Sequence, residues 1–196
     1  MTSTFHLVGA MAIAFSMISL IMSVSYNMQV DGMETVIDAQ VQGNVEILKN
    51  LLRDEFRSIG VGVPEGQPVF ETSLSSSWRV SYYTGEGEEA TRVDLYIVPQ
   101  NYRTNNPTYT LVRSVTPMGE GKQSTTTTEL PIRGIAQLRF SYYSTPDVQT
   151  TQPDETTRII GVEMRLQSAE PIDGEEYVVS VGAERVLLRQ LLYRES

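Results

Sequence analysis

The chain has 196 residues, with 24 Asp and Glu against 15 Lys and Arg, a net charge of -9. The basic residues are scattered along it, which excludes the phosphate-neutralising patch that nucleic acid requires and the polybasic handle that anionic lipid requires. Cysteine is absent and His6 is the sole histidine, so disulfides, thiolate nucleophiles, His-based triads and Cys or His zinc sites are excluded as well.

Residues 5–24, FHLVGAMAIAFSMISLIMSV, carry no formal charge. Their length matches the roughly 20 residues that a helix needs to cross a hydrocarbon core. Gly9, Ala10, Ala12, Ala14, Ser16 and Ser19 lie among Leu, Ile, Met and Phe, a mixture that suits close approach of helices in lipid. Three readings fit such a segment. A cleaved secretory signal wants a basic n-region, and Met1-Thr2-Ser3-Thr4 contains no Lys or Arg. A plain single-pass anchor fits the length, and a helix that also packs into a filament fits both the length and the residues downstream.

The next stretch of chain is amphipathic. Ile37, Val41, Val45, Leu48, Leu52, Phe56 and Ile59 recur at steps of 4, 4, 3, 4, 4 and 3, which predicts one apolar helical face. Glu34, Asp38, Glu46, Lys49, Arg53, Asp54 and Arg57 are placed on the opposite, polar side. Gly60, Gly62 and Pro64 supply the stop. An unbroken helix over residues 5–59 would span on the order of 80 Å. Gly32 and Gly43 are its weak points, each costing roughly 1 kcal/mol against Ala. A bend or local melting is expected near them if anywhere.

After Pro64 the periodicity changes to two. Strands are predicted over residues 78–83, 92–98, 109–115, 136–143, 158–167 and 177–188, with alternation clearest in LRFSY and VEMRL. Gly85-Glu86-Gly87 and Asp173-Gly174 read as hairpin turns. The polar stretches 99–107, 117–128 and 146–157 read as exposed loops, the second containing a Ser-Thr-Thr-Thr-Thr run. The expected class is α+β: residues 1–60 form a long helix, membrane-spanning in its first half, laid on an antiparallel sheet domain built from residues 61–196.

Few residues invite a site. Glu86, Glu88 and Glu89 cluster carboxylates of the kind that calcium prefers, against the plainer reading of a solvated hairpin. Tyr82-Tyr83 and Tyr142-Tyr143 each place one ring in the core and one on the open face. The open rings suit a carbohydrate- or partner-binding surface, or ordinary sheet packing. Trp78 is assigned to the core, and His6 to the membrane interface. No catalytic constellation, cofactor or small-molecule substrate is expected, and the chain reads as a non-enzyme.

Residues 48–63 (LKNLLRDEFRSIGVGV), 130–143 (LPIRGIAQLRFSYY) and 158–166 with 178–192, after a hydrophobic helix with an amphipathic continuation, resemble the type IV pilin-like superfamily. Within it the chain is most similar to prepilin-type minor pilins and the J-type minor pseudopilins of type II secretion. The resemblance implies a minor structural subunit of a pilus-like or secretion-like filament, whose partners are the membrane and other pilin-like subunits. It implies a single-pass inner-membrane protein with the β domain outside the cytoplasm, and a periplasmic or extracellular place once in the filament. It also implies assembly through Phe5, Leu7, Ile13, Phe15, Ile18 and Leu20, with Gly9 allowing close approach. The leader would be cleaved between Thr4 and Phe5. Family members carry Gly at the position of Thr4 and Glu at that of Gly9, where the acid meets a neighbour's N-terminal amine. The rival expectation is a membrane-tethered periplasmic or extracellular binding module that does not polymerise.

Overall fold

The computed structural model describes residues 2–85, 90–100, 107–119, 124–168 and 179–192, with side chains from His6 to Leu191. Helix α1, Thr2–Arg57, is continuous over 56 residues, on the order of 84 Å at 1.5 Å per residue. It passes through Gly32 and Gly43 without a break, so the bend allowed for there is absent. A backbone that keeps every i to i−4 hydrogen bond loses only propensity at a glycine, and neither position faces a packed neighbour within 4 Å.

The helix ends where its backbone leaves the α region. Ser58 and Ile59 donate to Glu55 O and Phe56 O in tightened turns, and Gly60 then takes φ +76°, a conformation that favours glycine. Gly60 N donates to Tyr83 O at 3.2 Å, so the helix exit is tied directly to the sheet.

Eight strands among the described residues form one antiparallel sheet: β1 Arg79–Thr84, β2 Thr91–Pro99, β3 Tyr109–Pro117, β4 Thr126–Glu129, β5 Ile135–Thr145, β6 Val148–Thr150, β7 Ile159–Gln167 and β8 Val179–Leu187. A short helix, α2 Arg189–Leu192, comes after β8. The path is β1-β2-β3-β5-β7-β8, with β4 on β3 and β6 on β5. β3 and β5 meet at the single pair Tyr109–Ile135, and the sheet opens beyond it. On one side β4 occupies the freed edge of β3. On the other, residues 76–79 close on β5, with Phe140 N donating to Ser77 O at 2.8 Å and Tyr142 Oη to Ser76 O and Arg79 O.

The core lies between α1 and the inner sheet face. Val41, Val45, Leu48, Leu52, Phe56 and Ile59 are buried there with Leu95, Leu138, Phe140, Ile160, Val162 and Met164. The Phe56 and Phe140 rings meet edge to face at 6.1 Å, a favoured aromatic geometry. Alternation in β7 is clear from Val162 to Leu166, with Glu163 and Arg165 outward between buried neighbours. In β5 a bulge between Ile135 and Gln137 resets the phase, so that Ile135 and Leu138 both reach the core. Gly182 of β8 lets α1 approach: a Cβ there would lie 2.6 Å from Val45 Cγ1.

The six predicted strands are present, their described ends within two residues of expectation, and α+β is the observed class. Two corrections concern the loops. β4 overlaps the end of stretch 117–128, and β6 falls inside stretch 146–157. All four residues of β4 are exposed, so no burial contrast marks the strand in the sequence. β-branched Thr backbone simply pairs with a free edge. A third correction is Trp78, which is 44% exposed in the turn before β1, with the Arg139 guanidinium 5.4 Å above its ring. The tyrosine doublets divide faces as expected, with Tyr82 and Tyr142 fully buried in the core. Tyr143 on the outer face is nevertheless covered, packed over Gly161 and beneath Arg185. The first hairpin joins β1 to β2 at Thr84–Thr91, while Glu86, Gly87, Asp173 and Gly174 lie outside the described residues.

The contrast between two glycines tests the packing. Gly182→Ala is expected to lower the unfolding free energy of the full chain in detergent by about 1–3 kcal/mol, the cost of overpacking. Gly32→Ala, with nothing within 4 Å of the added Cβ, is expected not to lower it. Denaturant titration followed by circular dichroism checks both.

Candidate assembly surface

From His6 to Gln29 every residue of α1 is exposed, and the first buried one is Val41. The helix therefore projects from its domain as a bare apolar rod. Leu7, Ile13, Ile18 and Leu20 stand free of the sheet, and Phe15 is 75% exposed. Gly9 has nothing within 4 Å. The backbone of Thr4 and Phe5 belongs to α1, and their side chains lie outside the described residues. These predicted assembly residues thus share one element, and the described ones stand clear of the rest of the chain. Exposed apolar surface on this scale marks a lipid or protein contact, since each large side chain gains roughly 1.5–3 kcal/mol on leaving water. The rod is long and apolar enough to cross a membrane. The Ser16 hydroxyl donates to Ala12 O at 2.9 Å, which satisfies that polar group within the helix.

The other end of the helix is locked against the sheet by charge. Glu55 Oε1 accepts from Tyr82 Oη at 2.6 Å and from Arg113 Nε at 2.7 Å, while Ser58 Oγ lies 3.2 Å from the same Tyr82 oxygen. About half a turn away, Arg53 donates through Nε and Nη2 to Glu184 Oε1 at 3.1 and 2.7 Å. The first group ties α1 to β1 and β3, the second to β8. Together they fix the rotation of the rod about its own axis. No spacing in the sequence marks them, because Glu55 and Arg113 are 58 residues apart and Arg53 and Glu184 are 131 apart.

Two concavities lie on the β domain among the described residues. One, of about 400 Å³, has Val69, Phe70 and Leu191 with Glu65 and Asp154 in its wall. Asp154 there accepts from Thr156 and Thr157, and the Thr156 hydroxyl holds its carboxyl below the usual range. The other, of about 420 Å³, lies between the end of α1 and β8 and is lined by Arg53, Arg57, Arg185 and Arg189. Among the described residues no three His, Cys, Asp or Glu side chains are placed to hold a metal ion. Glu86, Glu88 and Glu89 lie outside the described residues.

Comparison of the chain with protein-family models, curated proteins and solved structures finds no match.

The buried phenols give this region a pH dependence. Burial raises the Tyr82 hydroxyl above its ordinary value of 10.0, and the Glu55 charge adds to it. Burial raises Tyr142 as well. Tyr83 is pushed up to about 12 by burial and its bond to Glu71. A phenol raised in the fold stabilises the neutral form, so its contribution is complete below pH 10.0 and is lost as pH rises through the folded value. Alkaline titration is expected to show ionisation of these tyrosines together with loss of the near-ultraviolet dichroism. Titration of all tyrosines near their ordinary value with the fold intact would refute this placement.

Proposed function

We propose that the chain is a minor structural subunit of a type IV pilus-like or type II secretion-like filament, held in the inner membrane by its first helical half before assembly. The observation that carries this reading is the uninterrupted α1, with one half bare and apolar and the other buried on an antiparallel sheet. A tether needs only a span. A filament subunit needs the span and the domain to move as one body, and a helix continuous through Gly32 and Gly43 supplies that.

Assembly on this reading transfers residues 5–24 from lipid into a bundle of equivalent helices, with the β domain on the outside. Lipid tails are as apolar as Leu, so the transfer gains little from the hydrophobic effect. It relies on close packing through small residues. Phe5, Leu7, Ile13, Phe15, Ile18 and Leu20 are the packing side chains and Gly9 the point of closest approach. With Gly9 in place of an acid, no buried carboxylate needs a neighbour's amine, so the helix enters the bundle without that charge.

Ile13→Asp places a charge at mid-span, at a cost of about 2.5–3.5 kcal/mol on the insertion scale. It is expected to abolish membrane insertion and filament incorporation, as followed by fractionation and imaging of sheared filaments. N-terminal mass spectrometry on native membranes, with and without the host's prepilin peptidase, is expected to show a peptidase-dependent N-terminus at Phe5. An intact Met1 in both strains, with a monomer after detergent extraction, would replace this reading with a tethered module that does not polymerise.

A further inference from the structure

The chain is acidic overall, yet the concavity between the end of α1 and β8 gathers Arg53, Arg57, Arg185 and Arg189 around the single acid Glu184. Arg53 is neutralised by Glu184 at 2.7 Å. Arg57 has only Asp54 at 3.2 Å, an exposed pair one helical turn apart, which contributes little. Arg185 sits 4.7 Å over the Tyr143 ring and donates to Pro146 O. Among the described residues, neither Arg185 nor Arg189 has a carboxylate partner.

The complementary charge lies higher on the same helix. Asp31, Glu34, Asp38, Val41, Val45, Leu48 and Leu52 succeed one another at steps of 3, 4, 3, 4, 3 and 4, a single seam on one side of α1. The seam is apolar where the sheet covers it and acidic from the turn at which the sheet stops. Glu34 and Asp38 therefore continue the sheet-facing side and do not belong to the polar side to which the periodicity assigned them. Asp31 and Glu34 are exposed, Asp38 accepts from Gln42 at 2.8 Å, and no Lys or Arg precedes Lys49.

We propose that the arginine groove receives the Asp31–Glu34–Asp38 seam of a second copy of this chain; the inference rests on the filament reading and specifies its contact. The two sites are separated along the helix by about 20 residues, or on the order of 30 Å. The sheet embraces α1 from Val41 to Phe56, roughly 23 Å. A parallel neighbour displaced by the larger distance clears the first domain and brings its groove beside the exposed seam. Met28, Met33 and Val36, exposed around the acids, are covered in the same contact. Groove and seam are different surfaces, so the contact is heterologous and repeats without closing.

The absence of cysteine makes the test clean. Thr35→Cys with Gln190→Cys, in the full chain in its native host under conditions of filament assembly, introduces the only two thiols, too far apart within one chain for a disulfide, which needs Cα atoms within about 7 Å. Mild oxidation is expected to give a ladder of dimers, trimers and higher species. Thr35→Cys with Thr126→Cys, on the exposed β4, is expected to give none. Arg185→Glu with Arg189→Glu is expected to reduce the ladder about tenfold or more, and adding Asp31→Arg with Glu34→Arg to restore it. Imaged filaments without the ladder would overturn this contact and leave the filament reading standing. A ladder indifferent to charge reversal would overturn the arginine assignment, and dimers alone the open repeat. Neither filament nor ladder would overturn both.

Discussion

The structure depends on one seam of one helix. Leu48, Leu52 and Phe56, all fully buried, are where α1 meets the sheet, and the strands are arranged around that contact. β7 and β8 lie beneath it, β5 supplies Phe140 to its lower end, and Gly182 is bare so that Val45 can sit on β8. Packing against a face of this kind stabilises a helix far more than residue propensity does. The buried half therefore holds helical geometry for the half above it, and the glycines at 32 and 43 cost too little to interrupt the ladder.

Apolar contact alone leaves the rod free to roll, because Leu and Val packing is not directional. Glu55 with Arg113 and Tyr82, and Arg53 with Glu184, supply direction. Both pairs are half-buried and include charge-assisted hydrogen bonds, which are shorter and more geometric than neutral ones. Their net contribution to stability is modest once desolvation is counted. Their larger effect is to set which residues of the projecting half point toward the sheet side, some tens of ångströms from the bonds themselves.

Much of this fold was legible because burial writes itself into the sequence as period. Val41 to Ile59 at steps of three and four, and Leu138-Arg139-Phe140-Ser141-Tyr142 at steps of two, each announce a half-buried element. Where burial has no contrast, the signal vanishes. Thr126–Glu129 is exposed on both faces, and Val148–Thr150 is too short to alternate. Trp78 misled because its size argues for the core, whereas its indole stays exposed with Arg139 above its ring. The electrostatic features were out of reach for a different reason. Arginines 53, 57, 185 and 189 are scattered in sequence and converge only when β8 is laid beside α1, and Glu55 finds Arg113 only across the folded sheet.

Along α1 the same side of one helix meets three environments in turn: an uncharged stretch of membrane-spanning length, then three acids, then apolar residues under the sheet. A helix meant only to hang a domain from a membrane has no need of the middle segment in that register. Acids on any side would serve solubility. Placing them on the seam, in phase with Val41 and Leu48, sets them beside Met33 and Val36, which are exposed and would gain by being covered. On the proposed filament reading the apolar half gains little by pairing in lipid, so selectivity between copies would come from the part of the helix beyond the apolar stretch. The polar seam and the arginine groove differ in sign and share an axis, so on the proposed filament reading they are the surfaces that would set the axial stagger the apolar rod leaves open.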